Sequence, residues 1–131
     1  MAARLVGLAG CSNYFLGSIV AYSNSAKEKL LGVEGETLEK YGAVSSQTAA
    51  QMALGALNAL GSDVSLAVTG VAGPDGGTAS APVGTLWGAI ASRKKEPLVW
   101  HFHLEGSRQE IIETAVEILL SRFWQYLQEY R

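Results

Sequence analysis

Apolar residues recur along the chain in two periods, and the changes between them outline the secondary structure. From Tyr14 to Tyr22 the run YFLGSIVAY is apolar on both alternating faces and rich in aromatic and β-branched residues. That pattern predicts an interior strand covered on both sides. Ser23, Asn24 and Ser25 offer N-cap oxygens before AKEKLLG, which reads as a short helix stopped at Gly32. ETLEKYG is a second short helix with a glycine stop, and Ser45 or Ser46 caps a longer one from about Gln47 to Leu60. In that longer helix Ala49, Met52, Ala53, Ala56, Leu57 and Leu60 form one apolar stripe, expected to lie on a sheet. The opening MAARLVGLAG reads as the latter half of an amphipathic helix, because Leu5, Val6 and Leu8 are apolar but no N-cap residue precedes them.

Beyond Gly61–Ser62–Asp63, VSLAVTG has the length and apolarity of a buried strand. The following VAGPDGGTASAPVG is too rich in glycine and proline for regular structure. VGTLWGAIAS and PLVWHFHL flank the charged stretch SRKKE and predict a β-hairpin. Its second strand alternates Leu98, Trp100, Phe102 and Leu104 on a core face with Val99, His101 and His103 on a more exposed one. Ser107 caps a last helix reaching about Tyr130, with Glu110 at the capping-box position and a stripe of Ile112, Ala115, Val116, Leu119, Phe123 and Leu127. Helices interspersed with buried strands predict an α/β sheet covered by helices, as one domain without internal repeats.

Composition narrows the function. At 131 residues, with 48% hydrophobic and 17% charged side chains, the chain suits one folded domain and excludes extensive disorder. Ten basic against twelve acidic residues give a net charge of -2, with no basic stripe for phosphate neutralisation, so nucleic acid is not an expected partner. The single Cys11 cannot close an internal disulfide or a cysteine zinc site, which fits a reducing compartment and a cytoplasmic location. No apolar run approaches the ~20 residues of a membrane span, and the first ten residues lack the regions of a secretory signal.

Candidate chemistry concentrates in two places. The loop TGVAGPDGG, Thr69 to Gly77, follows a buried strand at its carboxyl end, where α/β sheets place ligand crevices. Its glycines free N–H groups to approach an anion, or else simply make a tight connection. It is neither a Walker loop nor a dinucleotide fingerprint. The segment AYSNSAKEKLLG sets Tyr22 at a strand end and Lys27 in the first turn of a helix, close enough to share a pocket in which a desolvated lysine acts as a base. The alternative is a strand-end aromatic beside a solvated helix face of Lys27, Glu28 and Lys29. His101 and His103 share a strand face, but no third ligand supports them, so no metal or other cofactor is expected. Cys11 reads as a packing residue.

VAYSNSAKEKLLGV, ETLEKYGAVS, LAVTGVAGPDGGTASAPVGTLWGAIAS and EGSRQEI, in this order, closely resemble the CinA carboxy-terminal domain family, whose members include bacterial nicotinamide mononucleotide deamidases. The resemblance implies a three-layer α/β/α sandwich with a mixed sheet. It also implies hydrolysis of the carboxamide of nicotinamide mononucleotide to nicotinate mononucleotide and ammonia, through a serine nucleophile and an acyl-enzyme. Carried over by matching positions, Tyr22 and Lys27 activate the nucleophile. Thr69, Gly70, Gly73, Pro74, Gly76 and Gly77 line the nucleotide site, and Arg108 offers charge to the phosphate or the carbonyl. Arg108 follows Ser107, where the family commonly has an acidic residue. The family's nucleophile sits in an ESCTGG motif at the end of its first strand, and neither Ser12 nor Ser18 occupies such a motif. The expectation is therefore a single family domain over residues 1–131, truncated at its N-terminus, with an unpaired sheet edge. Such a chain reads as a shortened deamidase, as a nucleotide-binding module, or as an interaction protein that forms homo-oligomers.

Overall fold

The computed structural model describes residues 1–130. Its helices are α1 (Ala2–Val6), α2 (Asn24–Leu31), α3 (Gly35–Tyr41), α4 (Ser46–Leu60) and α5 (Arg108–Glu129), and its strands are β1 (Val64–Gly70), β2 (Thr85–Ser92) and β3 (Leu98–His103). The expected caps form. The Ser23, Ser45 and Ser107 side chains accept from the N–H groups of Ala26, Thr48 and Glu110, and Gly32 and Gly61 end α2 and α4 in the left-handed conformation that favours glycine. The Ser107–Glu110 capping box closes in both directions. Its two hydrogen bonds hold the Glu110 carboxyl below its ordinary value. Ser107→Ala is expected to cost about 1 kcal/mol, measurable as a lowered denaturant midpoint at unchanged slope.

The sheet runs β1-β2-β3 with antiparallel pairs throughout, Thr69 opposite Trp87 and Trp87 opposite His101. Helices cover both faces, as an α/β fold requires. On one face Ala67, Ala89 and Ala91 meet Ala49, Met52, Ala53 and Leu57 of α4, with Leu31, Val33 and Leu38 completing the core. Small residues on both sides let α4 settle close to the strands, and Ser65 Oγ donates to Ala53 O across 2.5 Å. On the other face Leu86 packs with Ala115 and Leu119 of α5, flanked by Leu66, Val68, Phe102 and Leu104. The Arg122 guanidinium lies 5.8 Å from the Trp100 ring and 5.5 Å from that of Phe102, joining α5 to β3.

The stripe of α4 is as expected. In α5 most of it holds: Ala115 and Leu119 are buried and Val116 and Phe123 half-buried, but Ile111 rather than Ile112 is buried, and Leu127 is exposed. Spacing by four keeps residues 111, 115 and 119 on one line along the helix, and Ile112 falls beside it.

The largest departure is the run Tyr14 to Tyr22. It does not form the expected interior strand, and among the described residues the paired strands are antiparallel rather than mixed. Residues 15–22 are extended and alternate cleanly: Phe15, Gly17, Ile19 and Ala21 are half-buried, while Leu16, Ser18, Val20 and Tyr22 are exposed. Ile19 and Ala21 pack on the α4 core. The segment has a strand's pleat and one covered face but no neighbour in a hydrogen-bonded ladder among the described residues.

Candidate functional site

Lys27 departs from the solvated helix face that its neighbours Glu28 and Lys29 occupy. Ser23 starts α2 so that Lys27 turns back under the extended segment, where the residue is only 6% exposed. Its Nζ donates to Ala21 O at 3.0 Å and Tyr22 O at 3.4 Å. Both acceptors are neutral main-chain carbonyls, so desolvation is not offset by a counter-charge, and the ammonium is held below the ordinary lysine value of 10.5. A lysine of that kind gives up its proton more readily than a surface one, the property a general base needs. Tyr22 meets Lys27 through its backbone carbonyl, and its side chain is 83% exposed.

At the carboxyl end of β1, Thr69 is buried and its hydroxyl donates to Ala43 O at 2.6 Å, tying the glycine loop to the turn before α4. Ala43 and Ala21 pack against the same core cluster, so the Lys27 region and the start of the loop share one face of the fold. Gly70 leaves β1 where an added Cβ would lie 2.9 Å from Thr85 O. Gly73 and Gly76 both have positive φ, and Cβ atoms at Gly73 and Gly77 would press on Val83. Pro74, Gly76 and Gly77 are exposed. Two of the loop's glycines thus serve close packing on Val83 as well as any ligand, and Gly73→Val would strain the loop whether or not a ligand is present.

The loop is braced at its edges. Val71 N donates to Thr85 O, Gly84 N to Val71 O and Thr78 N to Ala81 O. The N–H groups of Ala72, Gly73, Asp75, Gly76 and Gly77 have no main-chain partner among the described residues. Arg108, at the start of α5, donates from Nη1 to Gly73 O at 2.9 Å, so it holds the loop in addition to presenting charge beside it. Arg108→Ala is expected to raise amide exchange at Thr78 and Gly84, whose N–H groups brace the loop, by about tenfold, the equivalent of one hydrogen bond of ~1.4 kcal/mol, with the exchange of β2 unchanged.

Sequence reasoning singled out Lys27, Thr69 and Arg108 as candidates but not the atoms they contact. The carbonyls of Ala21, Ala43 and Gly73 are backbone atoms that no side-chain pattern reveals, and Val83 gave no chemical signal. His101 stacks on Trp87, with ring centroids 4.3 Å apart, which accounts for its place on the strand face. An apolar cavity of about 250 Å³ lies between the sheet and α5, lined by Val68, Leu86, Ala115 and Leu119 among others. Of the predicted site residues only Gly70 touches it, and its lining does not suit a charged nucleotide. Among the described residues, no helix is long and apolar enough to cross a membrane.

The chain belongs to the CinA C-terminal domain family, which it matches over residues 1–127. It is 45% identical over 117 residues to the nicotinamide-nucleotide amidohydrolase PncC of Enterobacter agglomerans, a match covering 88% of this chain and 71% of that one. It is 42% identical over 133 residues to a CinA-like protein of Chlorobium limicola, covering 98% of this chain but only 31% of the relative. The crystal structure of the competence damage-inducible protein A (ComA) from Klebsiella pneumoniae superposes with a TM-score of 0.94 at 31% identity, covering 99% of this chain and 80% of that one.

Proposed function

We propose that this chain carries a nicotinamide-nucleotide amidohydrolase-type site that binds nicotinamide mononucleotide and does not hydrolyse it unaided. The observation that carries this reading is Lys27, a buried ammonium with only carbonyl partners, at the position matched to the family's activating lysine. The similarity to a nicotinamide-nucleotide amidohydrolase over most of the chain supports the substrate class. The unpartnered loop N–H groups and Arg108 supply donors suited to a phosphate.

In the family's reaction a serine attacks the carboxamide carbon, the oxyanion is stabilised, ammonia leaves and water releases the acid. Lys27, once neutral, accepts the serine proton, and the Tyr22 phenol lies at the same end of the extended segment. The motif ESCTGG occurs nowhere in the 131 residues. The chain therefore offers the base and the nucleotide cradle without the attacking group. Domain organisation follows the same reading: residues 1–131 act as one unit with the site along its carboxyl-end loop.

Calorimetric titration with the mononucleotide and with its dephosphorylated nucleoside tests the binding claim. Saturable binding is expected for the nucleotide, at least about tenfold weaker for the nucleoside because the phosphate loses charge-assisted hydrogen bonds. Equal affinities would contradict the assignment of the loop to phosphate.

A further inference from the structure

We infer that β3 is a self-pairing edge, through which two copies of this chain join antiparallel along Leu98–His103 and continue one sheet across a two-fold axis. The inference stands on the backbone and charge pattern of this strand and not on the proposed activity. β3 is a terminal strand, paired with β2 along one side only. The phase of that pairing decides which groups face outward. Val71 N donates to Thr85 O and Leu104 N to Gly84 O. Thr85, Trp87 and Ala89 therefore turn their main-chain groups toward β1, and Leu86, Gly88 and Ile90 turn theirs toward β3. Their partners Phe102, Trp100 and Leu98 bond inward. The N–H and C=O groups of Val99, His101 and His103 line the free edge.

An exposed edge strand is ordinarily blunted by charge, proline or a bulge. LVWHFH carries no lysine, arginine, carboxylate or proline. Its register against β2 is unbroken, and Leu98 stands 45% exposed. Several of its side chains are already held in place: Arg122 lies over the Trp100 and Phe102 rings, and His101 stacks on Trp87. Charge appears only at the flanks, in the net-basic stretch Arg93–Glu96 before the strand and in Glu105 after it. Lys95 and Glu105 are exposed, and neither makes an ion pair within the chain among the described residues.

These flanks select the occupant and the register. Opposite charges at the two ends of one strand make it complementary to its own antiparallel copy, so that a two-fold axis forms each contact twice. Outward groups meet outward groups only where odd-numbered residues face odd-numbered ones. Setting Trp100 opposite Trp100 of the second copy satisfies this: Val99 and His101 form the hydrogen-bonded pairs, and Leu98 meets Phe102 on the α5 face. The apolar and aromatic side chains then lie as direct cross-strand neighbours, and Lys95 comes beside Glu105 at both ends. Pro97, just before the strand, meets His103 and ends the ladder there. Sliding the pair to set His101 opposite itself would bring Glu105 beside Pro97 and lose both charge pairs.

Sedimentation velocity of the full 131-residue chain over a range of concentrations tests the assembly, and amide exchange tests the edge. A species of twice 13.8 kDa is expected to grow with concentration. As it forms, exchange at Val99 and His101 should slow at least tenfold, whereas Trp100 and Phe102, already bonded to β2, should change much less. Glu105→Lys is expected to raise the dimer's Kd about tenfold, because it turns two exposed charge pairs from attraction to repulsion. Adding Lys95→Glu to the same chain should restore the wild-type Kd. Both positions are exposed, so the melting temperature measured at concentrations where the chain is monomeric should stay at the wild-type value in each variant. A chain that remains monomeric at millimolar concentration would overturn the inference. So would a dimer without slowed exchange at Val99 and His101, which would place the interface elsewhere, or a Glu105→Lys dimer as tight as wild type.

Discussion

Gly55→Ala is expected to destabilise the chain by about 3 kcal/mol, an overpacking cost, even though alanine is the better helix former by up to ~1 kcal/mol. Gly55 lies inside α4 where α2 crosses it, and an alanine Cβ there would be driven into the carbonyl group of Leu31. A backbone carbonyl at the end of a capped helix cannot turn away as a side-chain tip would, so α2 has to lift from α4. That movement opens the core formed by Leu31, Val33, Ala49 and Ala53. Against a total stability of order 5–15 kcal/mol, the loss should lower the melting temperature by roughly 10 °C. Thermal and urea unfolding check it. An unchanged or raised midpoint would mean that helix propensity outweighs the crossing.

The second large effect concerns Lys27 and rests on the proposed function. In a version lengthened at its N-terminus with a segment carrying the family's ESCTGG serine, Lys27→Ala is expected to reduce amidohydrolase turnover by about 10²–10⁴-fold, the usual contribution of a general base. Lys27→Arg should fail to rescue it, because a guanidinium does not release its proton near neutral pH. Lys27→Met preserves the buried stem and should leave the melting temperature nearly unchanged near neutral pH, separating a chemical role from a packing one. Wild-type rates in the alanine or arginine variant would remove Lys27 from the mechanism.

Titration of Lys27 carries a stability signature as well. Burial lowers its pKa in the folded chain below the ordinary 10.5, so the unfolded chain binds more protons in the interval between the folded value and 10.5. The cost of burying the charge is fully present below the folded pKa. It is relieved as pH rises through that interval, and stability contributed by this group increases there. Lys27→Met should flatten that part of the stability–pH curve, as read by urea unfolding across alkaline pH. A curve identical to wild type would contradict the desolvated ammonium.

Much of the fold was legible because its signals are local. Ser23, Ser45 and Ser107 mark helix starts, Gly32 and Gly61 mark ends, and the α4 stripe sets which face meets the sheet. These features act within one or two turns and survive any tertiary context. The run YFLGSIVAY was misread for the opposite reason. Its composition encodes a strand, but a strand exists only with a partner, and composition does not say whether one is present. Its alternation of half-buried and exposed positions shows the encoded pleat without the ladder. Gly55 was equally silent, since a mid-helix glycine looks like a weak residue until the crossing helix is in view.

The site was legible in its charged members and illegible in its carbonyls. Lys27 and Arg108 stand out as residue types, yet what each does is set by the backbone oxygens of Ala21, Tyr22 and Gly73. The family resemblance supplied a chemical role for Lys27, and the geometry supplied a physical reason why that lysine could fill it: burial without a counter-ion. Of the glycines, sequence suggested backbone reach toward an anion, whereas Gly73 and Gly77 also make room for Val83.

The central claim is a nucleotide site without its attacking group, and ammonia release from nicotinamide mononucleotide by the 131-residue chain tests it most directly, with calorimetric binding of the same compound measured in parallel. Binding without ammonia above the uncatalysed rate is the predicted result. Release of ammonia with stoichiometric nicotinate mononucleotide would show that another residue of this chain performs the attack, and no binding at millimolar nucleotide would show that the site does not hold this substrate class.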